Sequence, residues 1–263
     1  MKKTRKSNQP DVLTMFSEIN PSASWDDFRH ANQGHDYKQT RLTAIQDQGG
    51  LCAYCEVHYS DKPETFSIEH FHPKSDKSDP AKNWALDWDN MHAVCRGGRD
   101  KNNDGQQSYP TPENLSCDAY KDHLVTKGRL IEDCEGFLFN PLHMPAANLF
   151  KFDRSNGRLI VNEDACAKRD NANYGAYADL IQLASQTLCI LNLNCQRLCD
   201  MRLEVLKNYN QLIKKAREQN NRAIHQQLAQ RWFSTAWPKY FTTRRALLGK
   251  SAEQYLEDIQ YKG

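Results

Sequence analysis

Residues 51–75 read LCAYCEVHYSDKPETFSIEHFHPKS, and two short patterns inside them set the expectation for the fold. Cys52-Ala-Tyr-Cys55 has the spacing at which a backbone turn offers two thiolates to one zinc ion. Glu69-His70-Phe71-His72-Pro73 puts a carboxylate, two imidazoles and a proline into five positions, at the end of what reads as a short strand. A carboxylate there holds a divalent cation, and an imidazole with a pKa near neutrality takes a proton from water. For a phosphodiester the cation also neutralises charge developing on the phosphate, which an imidazole alone cannot do.

The rival reading of the CxxC turn is a redox pair. No thioredoxin-like βαβ pattern surrounds it, and further cysteines stand downstream at Cys95 and Cys117 to complete a tetrahedron. From Leu51 to about His123 the chain is rich in Cys, His, Asp, Asn and Gly and thin in apolar residues. A structural zinc contributes roughly 10–16 kcal/mol coupled to folding, which lets such a segment hold a shape. The other five cysteines, Cys134, Cys166, Cys189, Cys195 and Cys199, mostly fall in apolar or helical context and read as small core residues. Cys195 and Cys199 lie one helical turn apart, but no second ligand pair stands nearby.

Outward from this segment, 263 residues with 39% hydrophobic content bury one sizeable core or two modest ones. No run approaches the roughly 18 apolar residues of a membrane span, and the basic start MKKTRKSNQPDVL is not followed by an apolar stretch of signal-peptide length. The expectation is a cytoplasmic protein with no membrane partner, in whose reducing surroundings nine cysteines serve as thiols and metal ligands. A net charge of +2 excludes a polycation, yet Met201 to Lys250 holds eleven Lys or Arg against two Glu. That stretch is either a solvated helix face or a surface turned to phosphates or a partner. The interleaved Tyr209, Trp232, Phe233, Trp237, Tyr240 and Phe241 read mostly as core or interface residues.

Helical patterns occupy Pro10 to Ile19 and Tyr37 to Gln48; Ser22 or Ser24 is available to cap the segment after the first, and Gly49-Gly50 stops the second. Arg96 to Ser116 is a loop by composition. FKFDRSNGRLIV, residues 150–161, alternates around Asn156-Gly157 and predicts a β-hairpin with a tight turn. From Cys166 onward, Leu180, Leu183, Leu188, Leu191, Leu198 and Val205 recur mostly at helical spacings. Leu248-Gly249-Lys250-Ser251 has the look of a P-loop ending, but Arg244 stands where the first glycine is required and no apolar strand precedes it. The chain carries no nucleotide-hydrolysis machinery of its own.

The order CxxC, [DE]HxxP, an Asn shortly before another Cys, then Cys-polar-x-x-Lys resembles an HNH endonuclease of the zinc-containing ββα-metal type. Cys52 and Cys55 match its first knuckle, Glu69-His70 its acid-histidine pair, Asn90 its middle asparagine, and Cys117-Asp118-Ala-Tyr-Lys121 its closing motif. RKSNQPDVL, SWDDF, LCAYCE, IEHFHPKS and the late LNLN…L…R are similar to the PtuB-like nucleases paired with an ATPase in Septu-type and retron-associated anti-phage systems. This likeness spans nearly the whole chain.

The resemblance implies a mostly helical α+β fold: an N-terminal helical segment (1–50), a zinc-containing ββα-metal HNH module (51–125), and a β-hairpin with a C-terminal, partner-binding helical region (126–263). It implies His70 as general base, Glu69 and Asp118 as ligands of a catalytic Mg²⁺ or Mn²⁺, and Asn90 orienting the histidine or its loop. Cys52, Cys55, Cys95 and Cys117 hold structural zinc, with His92 or Cys134 as substitutes for Cys117. Soft thiolates favour zinc and carboxylate oxygens the harder ions. Implied partners are DNA or RNA, including tRNA, a PtuA-like ATPase, and a retron reverse transcriptase with its msDNA. The sequence departs from the common pattern in two places: Gly98 stands where a closing CxxC has its second thiol, and Asp118 replaces the usual histidine or asparagine. A rival from another class is a zinc-stabilised adaptor that binds nucleic acid or protein without cutting. His72, near His70, either supports the same site or has no role there, and Lys121 either contacts phosphate or is a helix-surface lysine.

Overall fold

The computed structural model describes residues 1–59, 65–99, 109–168, 174–234 and 236–263, and among these it is mostly helical with two separate two-stranded sheets. Three helices come first: α1 (Asp11–Ile19), α2 (Trp25–His30) and α3 (His35–Asp47). Pro10 directly precedes α1, where its missing N–H costs nothing. Ser24 opens α2 through a reciprocal cap: its Oγ accepts the Asp27 N–H at 3.2 Å, and the Asp27 carboxylate accepts the Ser24 N–H at 2.8 Å. The chain leaves α3 through Gly49 and Gly50, both left-handed, as their lack of Cβ permits.

The first sheet pairs β1 (Phe66–His70) with β2 (Met91–Cys95), antiparallel, setting Glu69 opposite His92 and His70 opposite Met91. Helix α4 (Cys117–Thr126) packs across β2. Of the polar segment Arg96 to Ser116, residues 100–108 lie outside the described residues; its two flanks contain neither helix nor strand.

The second sheet is the hairpin of β3 (Phe150–Phe152) and β4 (Leu159–Val161). Its turn differs from the tight two-residue form: Asp153 N–H bonds the Arg158 carbonyl at 2.9 Å, leaving four residues between them, and Gly157 but not Asn156 is left-handed. The Asp153 carboxylate organises this loop, accepting from the Ser155 N–H at 2.8 Å and the Asn156 amide at 2.8 Å. Gly157 has φ +78° and a Cβ there would stand 2.3 Å from the Cys199 carbonyl oxygen. Gly157→Ala therefore costs about 1–3 kcal/mol through backbone strain and the lost close approach, read as a lower urea midpoint.

Among the described residues six helices follow: α5 (Glu163–Ala167), α6 (Leu180–Ile190), α7 (Gln196–Glu218), α8 (Ile224–Phe233), α9 (Phe241–Leu248) and α10 (Lys250–Asp258). The LNLN turn between α6 and α7 is where the parts are tied together. Asn194 exchanges two 2.8 Å hydrogen bonds with the Leu159 backbone, Asn192 donates to the Glu113 and Leu115 carbonyls at 2.8 Å each, and the Leu191 carbonyl accepts the Cys117 N–H at 2.8 Å. Arg202, 1% exposed, donates to the Leu193 carbonyl at 2.7 Å and the Gly157 carbonyl at 3.3 Å. A guanidinium buried this deeply is satisfied by backbone oxygens.

Part of the basic excess in Met201 to Lys250 is thus internal. Arg245 is likewise buried in a bidentate pair with Glu253, whereas Lys207, Lys214, Lys215, Arg217, Arg222 and Arg231 are exposed or half-buried. Tyr209, Phe233, Tyr240 and Phe241 are buried in one core cluster that continues through Leu13, Phe28 and Met91. Among the described residues no helix is long and apolar enough to cross a membrane.

Candidate functional site

Four cysteines from three elements meet at one point. Cys52 and Cys55 lie on the turn after α3, Cys95 ends β2 and Cys117 begins α4. The Sγ–Sγ separations are 3.8 Å for Cys52–Cys117, 3.5 Å for Cys55–Cys95 and 4.0 Å for Cys95–Cys117. A tetrahedron with zinc–sulfur bonds of about 2.3 Å has edges of about 3.8 Å, so the donor set fits zinc in kind and in size. The turn closes with the Cys52 N–H on the Val57 carbonyl at 2.9 Å, and the Cys95 N–H donates to Cys52 Sγ at 3.4 Å, as knuckle amides do toward thiolates. Cys117 takes a left-handed conformation, φ 58°, held by its bond to Leu191. Burial pushes the Cys117 thiol well above its ordinary pKa, a cost that a bound cation offsets by drawing the proton off. Neither His92 nor Cys134 joins this group. Where a second closing thiol would fall, a Cβ on Gly98 would stand 3.1 Å from Arg197 Nε, and this arginine also donates to Ser116 Oγ at 2.8 Å.

Glu69 and His70, neighbours on β1, point to opposite faces of the sheet. Glu69 faces α4, whose first turn presents Asp118 and whose next turn presents Lys121. The Lys121 ammonium makes a direct ion pair with Glu69 and lies 3.9 Å from Asp118 Oδ1. Burial pushes the Glu69 carboxyl upward, Lys121 opposes that, and the Asp118 carboxylate adds to it. For Lys121 burial acts downward, but Glu69 with Cys134 and Asp118 together outweigh it and hold the ammonium charged. Asp118 Oδ1 is buried without a hydrogen-bond partner. An orphaned carboxylate oxygen beside a second buried carboxylate fits a cation of the hard, oxygen-seeking kind.

On the other face, the His70 ring packs edge-on against Trp25 with centroids 4.5 Å apart, and its Nε2 lies 3.1 Å from the Ala85 carbonyl. Donation from Nε2 leaves the lone pair on Nδ1. Burial lowers the imidazole pKa to about 4, so it is neutral at pH 7. Among the described residues, His70 does not stand within one ligand sphere with Glu69 and Asp118.

Asn90 closes the loop after β1. Its Oδ1 accepts the His72 N–H at 2.6 Å, and its Nδ2 donates to the carbonyls of His72 at 3.0 Å and Trp84 at 2.9 Å. Asn90→Ala leaves three buried backbone groups unpaired, which lowers unfolding free energy by about 2–4 kcal/mol in a denaturant titration; Asn90→Asp, which keeps only the acceptor, falls between.

No family model matches the sequence, and no solved structure matches it. Over 251 residues, 94% of this chain and 93% of the other, it is 36% identical to an Escherichia coli protein named "Retron Ec83 putative HNH endonuclease". The chain belongs to this retron HNH endonuclease family. A match of that length extends well beyond the strand pair and cysteines, so the helical regions of this HNH family member are shared as well. Three contributors to its candidate site are not among the residues that the sequence assigns to it. Trp25 and the Ala85 carbonyl hold the His70 ring, and Arg197 lies beside the thiolates. Of these, α2 alone has a local signature, the Ser24-x-x-Asp27 capping pattern just before Trp25 and Phe28 turn inward.

Proposed function

We propose that the chain hydrolyses nucleic-acid phosphodiester bonds, with His70 as general base and Glu69 and Asp118 holding a catalytic Mg²⁺ or Mn²⁺. The observation that carries this reading is the buried Glu69 carboxylate beside the half-buried Asp118 carboxylate across the β1–α4 contact, where Asp118 Oδ1 has no hydrogen-bond partner and lies 3.9 Å from the Lys121 ammonium. When bound there, a divalent ion supplies charge neutralisation at the scissile phosphate. His70 lies on the other face of β1 from the carboxylates, so the scissile phosphate must sit at the end of the strand between them; there the imidazole, neutral and with its tautomer set by Ala85, would take the proton of an attacking water at Nδ1. Lys121 pairs with the same carboxylates, and an ion held there would free its ammonium for a phosphate oxygen. Asn90 holds the loop behind the base, and the four cysteines hold zinc apart from the chemistry.

The functional division runs along the same lines: residues 51–125 carry the HNH chemistry, 1–50 brace its His70 side, and 126–263 form the partner-binding part. The cations on the outer faces of α7 and α8 suit a polyanion, DNA or RNA. Kinship to a retron HNH endonuclease supports a role in anti-phage defence beside a retron reverse transcriptase and its msDNA. The likeness of RKSNQPDVL, SWDDF and LNLN to PtuB-like nucleases supports a PtuA-like ATPase as partner.

Purified chain, with and without the ATPase, incubated with plasmid DNA and with tRNA, tests the reading. Cleavage should appear with Mg²⁺ or Mn²⁺ and vanish in EDTA; cleavage indifferent to metal overturns it. The Lys121–Glu69 contact favours one rival, the zinc-stabilised adaptor, because an ammonium already satisfies part of the carboxylate pair. Binding that needs the cysteines and ignores Glu69→Gln and Asp118→Asn, with no cleavage under any condition, establishes the adaptor instead.

A further inference from the structure

A second group of metal-ligand side chains lies outside the thiolate cluster and outside the Glu69–Asp118 pair. His72, Asp133 and Glu135 each offer one ligand atom, and these atoms all lie within 4.8 Å of one another. His72 is 7% exposed, whereas Asp133 and Glu135 are at the surface.

The imidazole is prepared on three sides. Its Nε2 lies 2.8 Å from the Asp76 carboxylate, an arrangement that fixes the proton on Nε2 and leaves the lone pair on Nδ1. Trp84 stacks on the ring with centroids 3.8 Å apart and planes 28° from parallel, so the ring cannot swing away. Its backbone is held at both N–H and C=O by Asn90. Nδ1 is then left on the side of Glu135, whose Oε1 is its near neighbour.

Nδ1 is buried and has no hydrogen-bond partner, although Glu135 Oε1 is 3.3 Å away. Distance is right for a hydrogen bond and direction is not. Ligands of one tetrahedral ion show that combination. With metal bonds of about 2.0 Å two donors stand about 3.3 Å apart, and the line between them leaves the lone-pair axis by roughly 35°. A protonated His72 pairing with both Asp76 and Glu135 would instead aim N–H at the oxygen.

We propose that His72 Nδ1, Asp133 and Glu135 bind a divalent first-row ion, Zn²⁺ by preference, with Asp76 orienting the histidine. One imidazole with two carboxylates is a mixed nitrogen–oxygen set, which suits zinc better than Mg²⁺ or Ca²⁺. The ion would clip the segment around Cys134 onto the loop after His70. Cys134 Sγ already donates to the Phe71 carbonyl there, at 3.6 Å.

The test uses the full chain with its thiolate site zinc-loaded, in the Glu69→Gln/Asp118→Asn background, so that neither of the other sites contributes. Calorimetric titration with Zn²⁺ should show one further ion per chain. Asp133→Asn/Glu135→Gln, both at exposed positions and so without a folding penalty, should remove that binding, and Asp76→Asn should weaken it by about tenfold to a hundredfold. His72→Ala should abolish it, with circular dichroism confirming the fold. Absence of a further ion, or unchanged affinity in Asp133→Asn/Glu135→Gln, overturns the proposal, and neither result bears on cleavage by Glu69, His70 and Asp118.

Discussion

Cys117→Ser should abolish zinc binding and unfold the β1–β2–α4 region. Cys117 is the first residue of α4, and it carries both a sulfur of the four-cysteine cluster and the 2.8 Å bond to Leu191 that joins this helix to the LNLN turn. Structural zinc is worth roughly 10–16 kcal/mol of folding free energy, and whole domains are stable by about 5–15 kcal/mol. Losing the ion therefore removes a contribution as large as the total. Mass spectrometry of the wild-type protein should find the cysteine zinc in stoichiometric amount. In Cys117→Ser it should be lost, with the thermal transition broadened or gone, and a strong chelator should reproduce this on the wild type. Cys134→Ser is the control, since Cys134 lies outside the four-cysteine cluster and its replacement should leave the zinc of that cluster in place. Full zinc occupancy in Cys117→Ser would mean that another donor closes the tetrahedron.

Much of this site is legible in the sequence because its determinants are local. CxxC spacing is a property of one turn, and acid-histidine adjacency is a property of one strand. The hairpin at residues 150–161 and the helices after Cys166 are legible for the same reason, as periodicity and turn residues act over a few positions. The illegible part is long-range. Nothing near Arg202 announces that its guanidinium will be buried against the Gly157 carbonyl 45 residues away. Nothing near Glu135 announces His72. The hairpin turn departs from expectation at short range, where the Asp153 side chain competes with the Asn-Gly preference and lengthens the loop. Cys117, distant from Cys95 in sequence, is found at the cluster because Ser116 N–H bonds the Gly97 carbonyl at 2.9 Å and folds the far end of the polar loop back onto its start.

His70→Ala should lower nucleic-acid cleavage by about 10²–10⁴-fold, the usual contribution of a positioned proton acceptor, while leaving zinc content and fold intact. The ring makes one hydrogen bond and the residue is only half-buried, so its removal costs little stability compared with Asn90→Ala. Glu69→Gln and Asp118→Asn should also abolish cleavage, for a different reason that a metal titration separates. They remove oxygen charge that holds the cation, so raised Mn²⁺ concentration should restore part of their activity and none of His70→Ala. Lys121→Met sharpens the distinction. If the ammonium competes with the ion for Glu69 and Asp118, its loss should lower the metal concentration needed for half-maximal cleavage, even as lost phosphate contact lowers the maximal rate. In that variant the buried Glu69 and half-buried Asp118 carboxylates are left beside each other without a counter-charge, so the apo protein should also be less stable and should recover stability when Mn²⁺ is added. A chain in which Lys121→Met neither shifts the metal requirement nor makes stability metal-dependent has no cation at these carboxylates.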